Sequence, residues 1–361
     1  MPNIKFSGPV PYRVSGFLAL NRIAVSAYLR RARKIRLAPQ WDVNLEIGVQ
    51  FWRRQFTLAM AEGNISKGRQ ILDAVQTETP DIYAVDYLDQ SIPKGRWYIP
   101  HQKRSNATVL YFHGGGYAFH GAMSIRFAAM LAHHIGAPVF APDYRLTPEH
   151  PHPAQAEDAL TAWKYITAEK AAGNVVVIGD SAGGHMMLSL LLSLRNERQE
   201  QPALGIGLCP WTDIGDRGAS LYENDKYDLV QSWMALEFGK WLDPHQAYGR
   251  EALSPISHDF KGLAPLYLQA GGREILHDMI VDFSEKQAQL GSDIMLDIWP
   301  DMPHDFQLLD STQNSASQAL NRIADAVRCF VSGSRSFYSE PMTEVSSGLF
   351  SKTGSASTSF D

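Results

Sequence analysis

The chain has 361 residues, 45% of them hydrophobic and 20% charged, with a formal net charge of −5. That is ordinary globular composition, enough for one large domain or two small ones. A balance this mild gives no electrostatic footprint for nucleic acid, and no apolar run is long enough to span a bilayer.

The first element in chain order is "SGFLALNRIAVSAYLRRARKIRLAP", an apolar stretch broken by Asn21 and Arg22. A basic cluster follows it: Arg30, Arg31, Arg33, Lys34 and Arg36. A secretory signal carries its positive charge before the apolar region, so this order argues against one. Phe17, Leu20, Ala24 and Leu29 suit one face of a helix, flanked by Ile23 and Tyr28. Such a helix either packs on the body of the protein or lies on anionic lipid, a peripheral membrane contact through residues 15–36. "LEIGVQFWRRQFTLAMAEG" and "SKGRQILDAVQTE" continue the helical pattern, so residues 1–80 read as helices.

From Asp81 the pattern changes. "DIYAVDYL" and "GRWYIP" alternate and carry β-branched and aromatic residues, so they read as strands. Then come "ATVLYF", "APVFAPDY", "NVVVIGD", "LGIGLCP", "PLYLQAG" and "DIMLDIWP". These short, nearly all-apolar runs fit strands buried on both faces of a parallel sheet. Helical patterns such as "AEDALTAWKYITAEKA" lie between them, so the fold class is α/β, a mostly parallel sheet with helices on both faces. Residues 214–250 interrupt the alternation with a Tyr-, Trp- and Asp-rich helical insertion. The last stretch, 332–361, is dense in Ser, Gly and Thr and reads as a disordered tail. The division expected is therefore N-terminal helices over 1–80, a catalytic domain over 81–331 and the tail. Cys209 and Cys329, the two cysteines, sit in apolar stretches and read as small buried hydrophobes rather than a disulfide. That usage is compatible with a reducing compartment, and a cytoplasmic location is expected.

"VVVIGDSAGGHMM" carries the strongest chemical signal. An apolar strand enters Gly179-Asp180-Ser181-Ala182-Gly183 and a helical pattern follows at once, which is the context that gives G-x-S-x-G its meaning. A turn so tight strains the serine backbone, requires small flanking residues and lifts the hydroxyl clear at a helix N-terminus. Serine needs a base, and the chain order for this unit is Ser, then acid, then His. His304 in "WPDMPHDF" follows a strand near the end of the domain and is the candidate base. His185 lies on the helix behind the serine, and His245 and His258 lie in or beside the insertion, where structural or solvated roles fit better. For the acid, position after "LYLQAGGREILHD" favours Glu274, with Asp278 as the alternative.

"YFHGGGYAFHG" places three glycines after another strand. An attacking serine puts negative charge on the acyl oxygen, and preorganised N–H donors must meet it there. The amide of Ala182 is one such donor; Gly114 and Gly115 offer others, Gly116 permits the turn, and His113 orients the loop. A phosphate cradle would need the Lys-[Ser/Thr] of a P-loop or G-x-G-x-x-G spacing, and neither is present.

With these motifs in place, the chain resembles the hormone-sensitive-lipase-like α/β-hydrolases, which include carboxylesterases and acetyl esterases. "FHGGGYAFHG", "PDYRLTPEHPHPAQAEDAL", "GDSAGG", "CPWTDI", "LSPISHDFKGLAPLYLQAGGREIL" and "DMPHDF" carry the resemblance. It implies an α/β-hydrolase fold and a catalytic triad of Ser181, Glu274 and His304. It further implies an oxyanion hole from Gly114, Gly115 and Ala182, and a cap built from the N-terminal helices and the insertion. Many members carry Asp where Glu274 stands. "DYRLTPE" resembles a structural signature in which Asp143, Arg145 and Glu149 brace the loops. The implied activity is hydrolysis of short- to medium-chain acyl esters through an acyl-enzyme, with no metal and no cofactor. Tyr117 and Trp211 suggest an apolar substrate pocket. Amide hydrolysis, as in an arylformamidase, and acyl transfer would use the same triad, and a non-catalytic small-molecule receptor is the reading from another class.

Overall fold

The structure, a computed structural model, describes residues 4–61, 63–77, 83–310 and 312–333. The Ser/Gly-rich tail falls outside the described residues from 334 onward.

Among the described residues ten strands form: β1 (Ile4–Phe6), β2 (Val75–Thr77), β3 (Val85–Ser91), β4 (Lys94–Pro100), β5 (Thr108–Phe112), β6 (Val139–Pro142), β7 (Val175–Asp180), β8 (Leu204–Leu208), β9 (Leu266–Gly271) and β10 (Ile294–Trp299). Eight of them make one sheet in the order β10-β9-β8-β7-β5-β6-β4-β3. The pairings from β10 to β6 are parallel, and those of β6 with β4 and of β4 with β3 are antiparallel, so β4 runs against the other seven strands of the sheet. Every residue of β5, β7, β8 and β9 is buried, so continuous apolar runs rather than alternation encode them. On β3, at the sheet edge, most side chains are exposed and the pattern alternates poorly.

Alternate residues of each strand feed opposite faces. Val175 and Val177 join one core, and Val176 and Ile178 join the other. Helices α1 (Val10–Ala32), α2 (Val43–Ala61), α3 (Ile65–Asp73), α4 (Ala122–Ile135), α5 (Ala154–Thr167), α6 (Ala182–Asn196), α7 (Ser220–Glu223), α8 (Ser232–Leu242), α9 (Gly249–Leu253), α10 (His277–Leu290) and α11 (Asn314–Val331) complete the architecture. α5, α6 and α10 cover the first face, and α4 and α11 the second. Between β8 and β9 the chain forms α7, α8 and α9, as the broken rhythm of residues 214–250 suggests.

Two corrections concern the N-terminal region. Residues 1–80 are not all helical: Val75–Thr77 pairs antiparallel with Ile4–Phe6 in a separate two-stranded ribbon. Three residues are too short for periodicity to betray a strand that is fixed only by a partner about 70 positions away. The inward face of α1 also differs from the expected one. Gly16, Ala19 and Ala27 are buried, while Phe17 and Leu29 are each 54% exposed. Small residues let α1 lie close to its neighbours, Gly16 against Phe6 and Val75, and the larger apolar side chains are left outward. Neither Cys209 nor Cys329 is in a disulfide among the described residues; Cys209 is buried and Cys329 half-buried.

Candidate active site

Strand β7 ends in the centre of the sheet and α6 begins at Ala182, so Ser181 sits alone in the turn between them. Its backbone has φ 52° and ψ −118°, a region that costs a side-chain-bearing residue on the order of 1–3 kcal/mol. The surroundings impose it: the Ser181 amide donates to the Leu208 carbonyl at 2.9 Å, and its carbonyl accepts from Trp211 at 3.0 Å. A side chain at Gly179 would strike the Gly183 backbone, and one at Gly183 would strike the Phe112 carbonyl. The two flanking glycines of the motif are therefore required by strand–helix contact.

His304 lies in the loop after β10 and lines the same cleft as Ser181. Its Nδ1 is 2.6 Å from Glu274 Oε2. Glu274 follows β9, is fully buried, and accepts from the Gly271 amide through Oε1 at 2.7 Å. Both carboxylate oxygens thus have fixed donors, and the ring is held with Nε2 on the side away from Glu274. Asp278, the alternative acid, lies at the start of α10 and faces the insertion: it accepts from the Ser220 amide at 2.8 Å and contacts His277 at 3.0 Å. It does not reach His304. Among the described residues the Ser181 hydroxyl makes no hydrogen bond, as is common before substrate tightens such a site.

The glycine-rich loop requires one revision. The Gly114 amide donates to Asp180 Oδ2 at 2.9 Å, so it is not available to an oxyanion. The amides of Gly115, Gly116 and Ala182 have no protein acceptor among the described residues. Gly115 and Gly116 have φ +98° and +62°, and a Cβ would collide with the Phe119 carbonyl and the Phe238 ring respectively. The sequence spacing alone could not distinguish which glycine amide the Asp180 carboxylate takes. His113 braces this loop: Nδ1–H donates to the Gly114 carbonyl at 2.7 Å, and the ring stacks between His120 and Tyr144 at 4.4 and 4.2 Å. Asp143 pairs with Lys94, Arg145 with Asp158 and Glu157, and Glu149 with Arg69 of α3.

The cleft holds roughly 1020 Å³ of non-atom space, counting its open mouth. Phe56 of α2, Leu72 of α3, Phe119, Leu229 and Phe238 of α8 give it an apolar lining around Ser181 and His304. Trp211 also lines it, and its buried Nε1–H has no partner among the described residues. Tyr117 does not. Its hydroxyl donates to His185 Nδ1 at 2.7 Å, while His185 Nε2–H donates to the Leu253 carbonyl at 2.6 Å. Tyr117 therefore fills the layer beneath the cleft, because its φ of 61° turns the side chain inward. Burial of that layer, above all, holds His185 neutral, its pKa lowered to about 4.

Three acids that motif reading passed over surround the candidate base. Asp305 Oδ2 faces His304 Nε2 at 3.5 Å. Asp228, from the insertion, is fully buried and accepts from the Leu229 and Ile275 amides at 2.6 and 2.7 Å. Asp180 accepts from the Tyr111 hydroxyl at 2.6 Å. Burial dominates all three: it pushes Asp180 and Asp228 up to about 6 and Asp305 well above the usual carboxylate range. For His304, burial opposes the charge, but the carboxylates of Asp305, Glu274 and Asp228 outweigh it and push the ring up to about 10. Cys209 Sγ lies within 4.8 Å of His304 and Asp305 ligand atoms, a cluster that belongs to this same site. Asp180 and Asp305 had a sequence signal, their places beside Ser181 and His304; Asp228 had none.

A family model described as the alpha/beta hydrolase fold matches residues 109–308, more than half of the chain. The chain is 32% identical over 215 residues to an acetyl-hydrolase of Streptomyces hygroscopicus, covering 58% of this chain and 70% of that protein. It is 31% identical over 228 residues to an esterase of Acinetobacter venetianus, covering 62% of this chain and 75% of that one. Among solved structures, an esterase from the bacterial hormone-sensitive lipase family superposes with a TM-score of 0.65 at 26% identity, over 90% of this chain and all of that one. The sheet order, the strand–serine–helix turn and these matches agree, and the chain belongs to the α/β-hydrolase-fold family, among its hormone-sensitive-lipase-like members.

Proposed function

We propose that the protein is a serine hydrolase of carboxylic esters, with Ser181 as nucleophile, His304 as general base and Glu274 as the acid that orients it. The observation that carries this reading is a serine in a strained strand–helix turn sharing one cleft with a histidine whose Nδ1 is fixed at 2.6 Å by a buried glutamate. The similarity to proteins named acetyl-hydrolase and esterase supports the same reading.

Neutral His304 accepts the Ser181 proton at Nε2 as Oγ attacks the acyl carbonyl. Glu274 holds Nδ1–H and stabilises the imidazolium that forms. The amides of Gly115, Gly116 and Ala182 are the proposed donors to the oxyanion, and Gly114 keeps its amide for Asp180. His304 then protonates the leaving alcohol, and the acyl-enzyme remains. Water, deprotonated by the same ring, attacks it and releases the carboxylic acid and Ser181. Helices α2, α3 and α8 act as the cap, since their side chains close the cleft over Ser181. The apolar lining suits the acyl part of short- to medium-chain esters. No helix among the described residues is long and apolar enough to cross a membrane; peripheral contact through residues 15–36 is favoured by the exposed apolar side chains of α1.

The test is hydrolysis of p-nitrophenyl esters from acetate to dodecanoate by wild type and Ser181→Ala. Activity peaking at one chain length, and reduced on the order of 10⁶-fold in the variant, is expected. Equal activity of the two proteins would exclude Ser181 as nucleophile. A folded wild type inert on every ester would shift the assignment to amide substrates or a non-water acyl acceptor.

A further inference from the structure

Helix α1 exposes its apolar side chains instead of burying them. Val10, Val14, Phe17, Leu18, Val25 and Leu29 are between 51% and 63% exposed. Positions 10, 14, 17, 21, 25 and 28 follow helical spacing, so these residues form a single outward stripe, with Leu18 and Leu29 along its edge. Asn21, the polar residue within it, turns its amide back to the Phe17 carbonyl at 2.8 Å, which satisfies one of its two N–H donors. The opposite side of α1 is fixed to the body. Arg30 pairs with buried Glu46 of α2 at 2.7 Å, Arg54 of α2 donates to Ser15 at 3.2 Å, and Gly16 packs on the β1–β2 ribbon.

The charge is as one-sided as the exposure. Residues 1–41 contain Lys5, Arg13, Arg22, Arg30, Arg31, Arg33, Lys34 and Arg36 and no acidic residue, in a chain whose net charge is −5. Arg22 and Arg33 share the helix row of Leu18 and Leu29, and Arg13 lies one turn before Phe17. Arg13, Arg22, Arg33 and Lys34 are exposed and form no ion pair among the described residues.

We propose that the outward face of α1 is a docking surface for an anionic lipid bilayer, with the apolar stripe inserted among the acyl chains and the arginines seated on headgroup phosphates. An apolar face edged by cations is the arrangement that lies in a membrane interface. Burying these six hydrophobic residues would need a partner surface that is itself apolar and negatively charged at its rim, and a bilayer containing acidic lipid is both. A second copy of the chain fits less well, because a symmetric contact would place two sets of unpaired arginines against each other. Docking would set α1 in the interface and α2, which carries Phe56 into the cleft, directly behind it. The inference is independent of ester hydrolysis.

The full chain is sedimented with phosphatidylcholine vesicles and with vesicles containing phosphatidylglycerol, beside Phe17→Asp/Val25→Asp and Arg22→Glu/Arg33→Glu variants. Thermal unfolding midpoints check that each variant is folded, and sedimentation velocity without lipid reports self-association. Wild type should pellet with the anionic vesicles, release at high salt, and lose roughly tenfold or more in partitioning in either variant. Binding unaffected by both variants, or absent from both vesicles, would overturn the proposal. So would self-association of wild type that the Phe17→Asp/Val25→Asp variant abolishes, since the stripe would then belong to a second copy.

Discussion

His304 Nε2 faces the carboxylate of the next residue, Asp305, at 3.5 Å, while Nδ1 of the same ring is held by Glu274 at 2.6 Å. Asp305 stands in the left-handed region at φ 51°, and its second oxygen is buried without a hydrogen-bond partner among the described residues. Nε2, the nitrogen proposed to take the Ser181 proton, is therefore already the partner of a carboxylate, and the pair favours holding a proton between them.

That relationship sets a pH dependence. A base must be neutral to act, and burial opposes charge on His304 less than its facing carboxylates promote it, so the ring is pushed up to about 10. Activity should rise with pH along an acid limb displaced above the ordinary histidine value near 6.5. Asp305→Asn keeps the left-handed backbone accessible and removes the charge that raises the His304 ring most, so the limb in kcat/KM should move to lower pH. A kcat/KM profile against pH for both proteins checks it; an unmoved limb would show that Asp305 does not govern the proton on His304. The same raised pKa favours the folded state below about pH 6.5 and loses that contribution as pH climbs through about 10.

The two candidate acids are separated by their contacts. Glu274→Gln would place an amide against His304 Nδ1 and leave the ring without its carboxylate, for which a fall in kcat on the order of 10⁴-fold is expected. Asp278→Asn touches the Ser220 amide and His277, so it should lower thermal stability slightly and leave kcat within roughly threefold. Steady-state kinetics on one ester rank the two. A larger kcat loss in the Asp278 variant would reverse the assignment.

Much of this was legible in the sequence because it is local. The six core strands were continuous apolar runs, and the Ser181 turn was announced by small residues between a strand and a helix. The contact between Glu274 and His304 agrees with the order of the candidates along the chain. The remainder was set by contacts between distant segments. Which glycine amide Asp180 takes depends on β5 and β7 lying side by side. Asp228 enters the site from the insertion and reads in sequence as one more solvated aspartate. Periodicity placed a helix over α1 but could not choose its inward face, since both sides carry apolar residues and the small ones make the contact.

Tight contact at the Ser181 turn predicts a stability effect. Gly183→Ala would drive a methyl group into the Phe112 carbonyl, which is backbone in the centre of the sheet and cannot yield. The unfolding temperature should fall by roughly 5 °C or more. Gly173→Ala, where a Cβ meets nothing within 4 Å, should leave it nearly unchanged. Differential scanning calorimetry of the two variants provides the comparison, and equal stability would mean that the turn tolerates a wider strand–helix gap.

Chain-length preference should be governed by Gly116 and Phe238 together. The Phe238 ring stands where a Gly116 side chain would go, packs edge-on against Phe119 at 6.2 Å, and lines the cleft. Phe238→Ala removes an aromatic wall, so the ratio of kcat/KM for octanoate over acetate should rise by roughly tenfold, the value of about 1.4 kcal/mol of added apolar contact. Gly116→Ala pushes the ring toward the substrate, and its φ of +62° strains the loop that carries a proposed oxyanion donor. It should therefore lower kcat on every ester and depress the longer chains most. In the double variant the added methyl finds the space vacated by the ring, so the chain-length penalty should be relieved while the loss in kcat persists. A double-mutant cycle over p-nitrophenyl acetate, butyrate and octanoate measures both parts. Strict additivity of the two substitutions would mean that Phe238 does not form the wall the acyl chain meets.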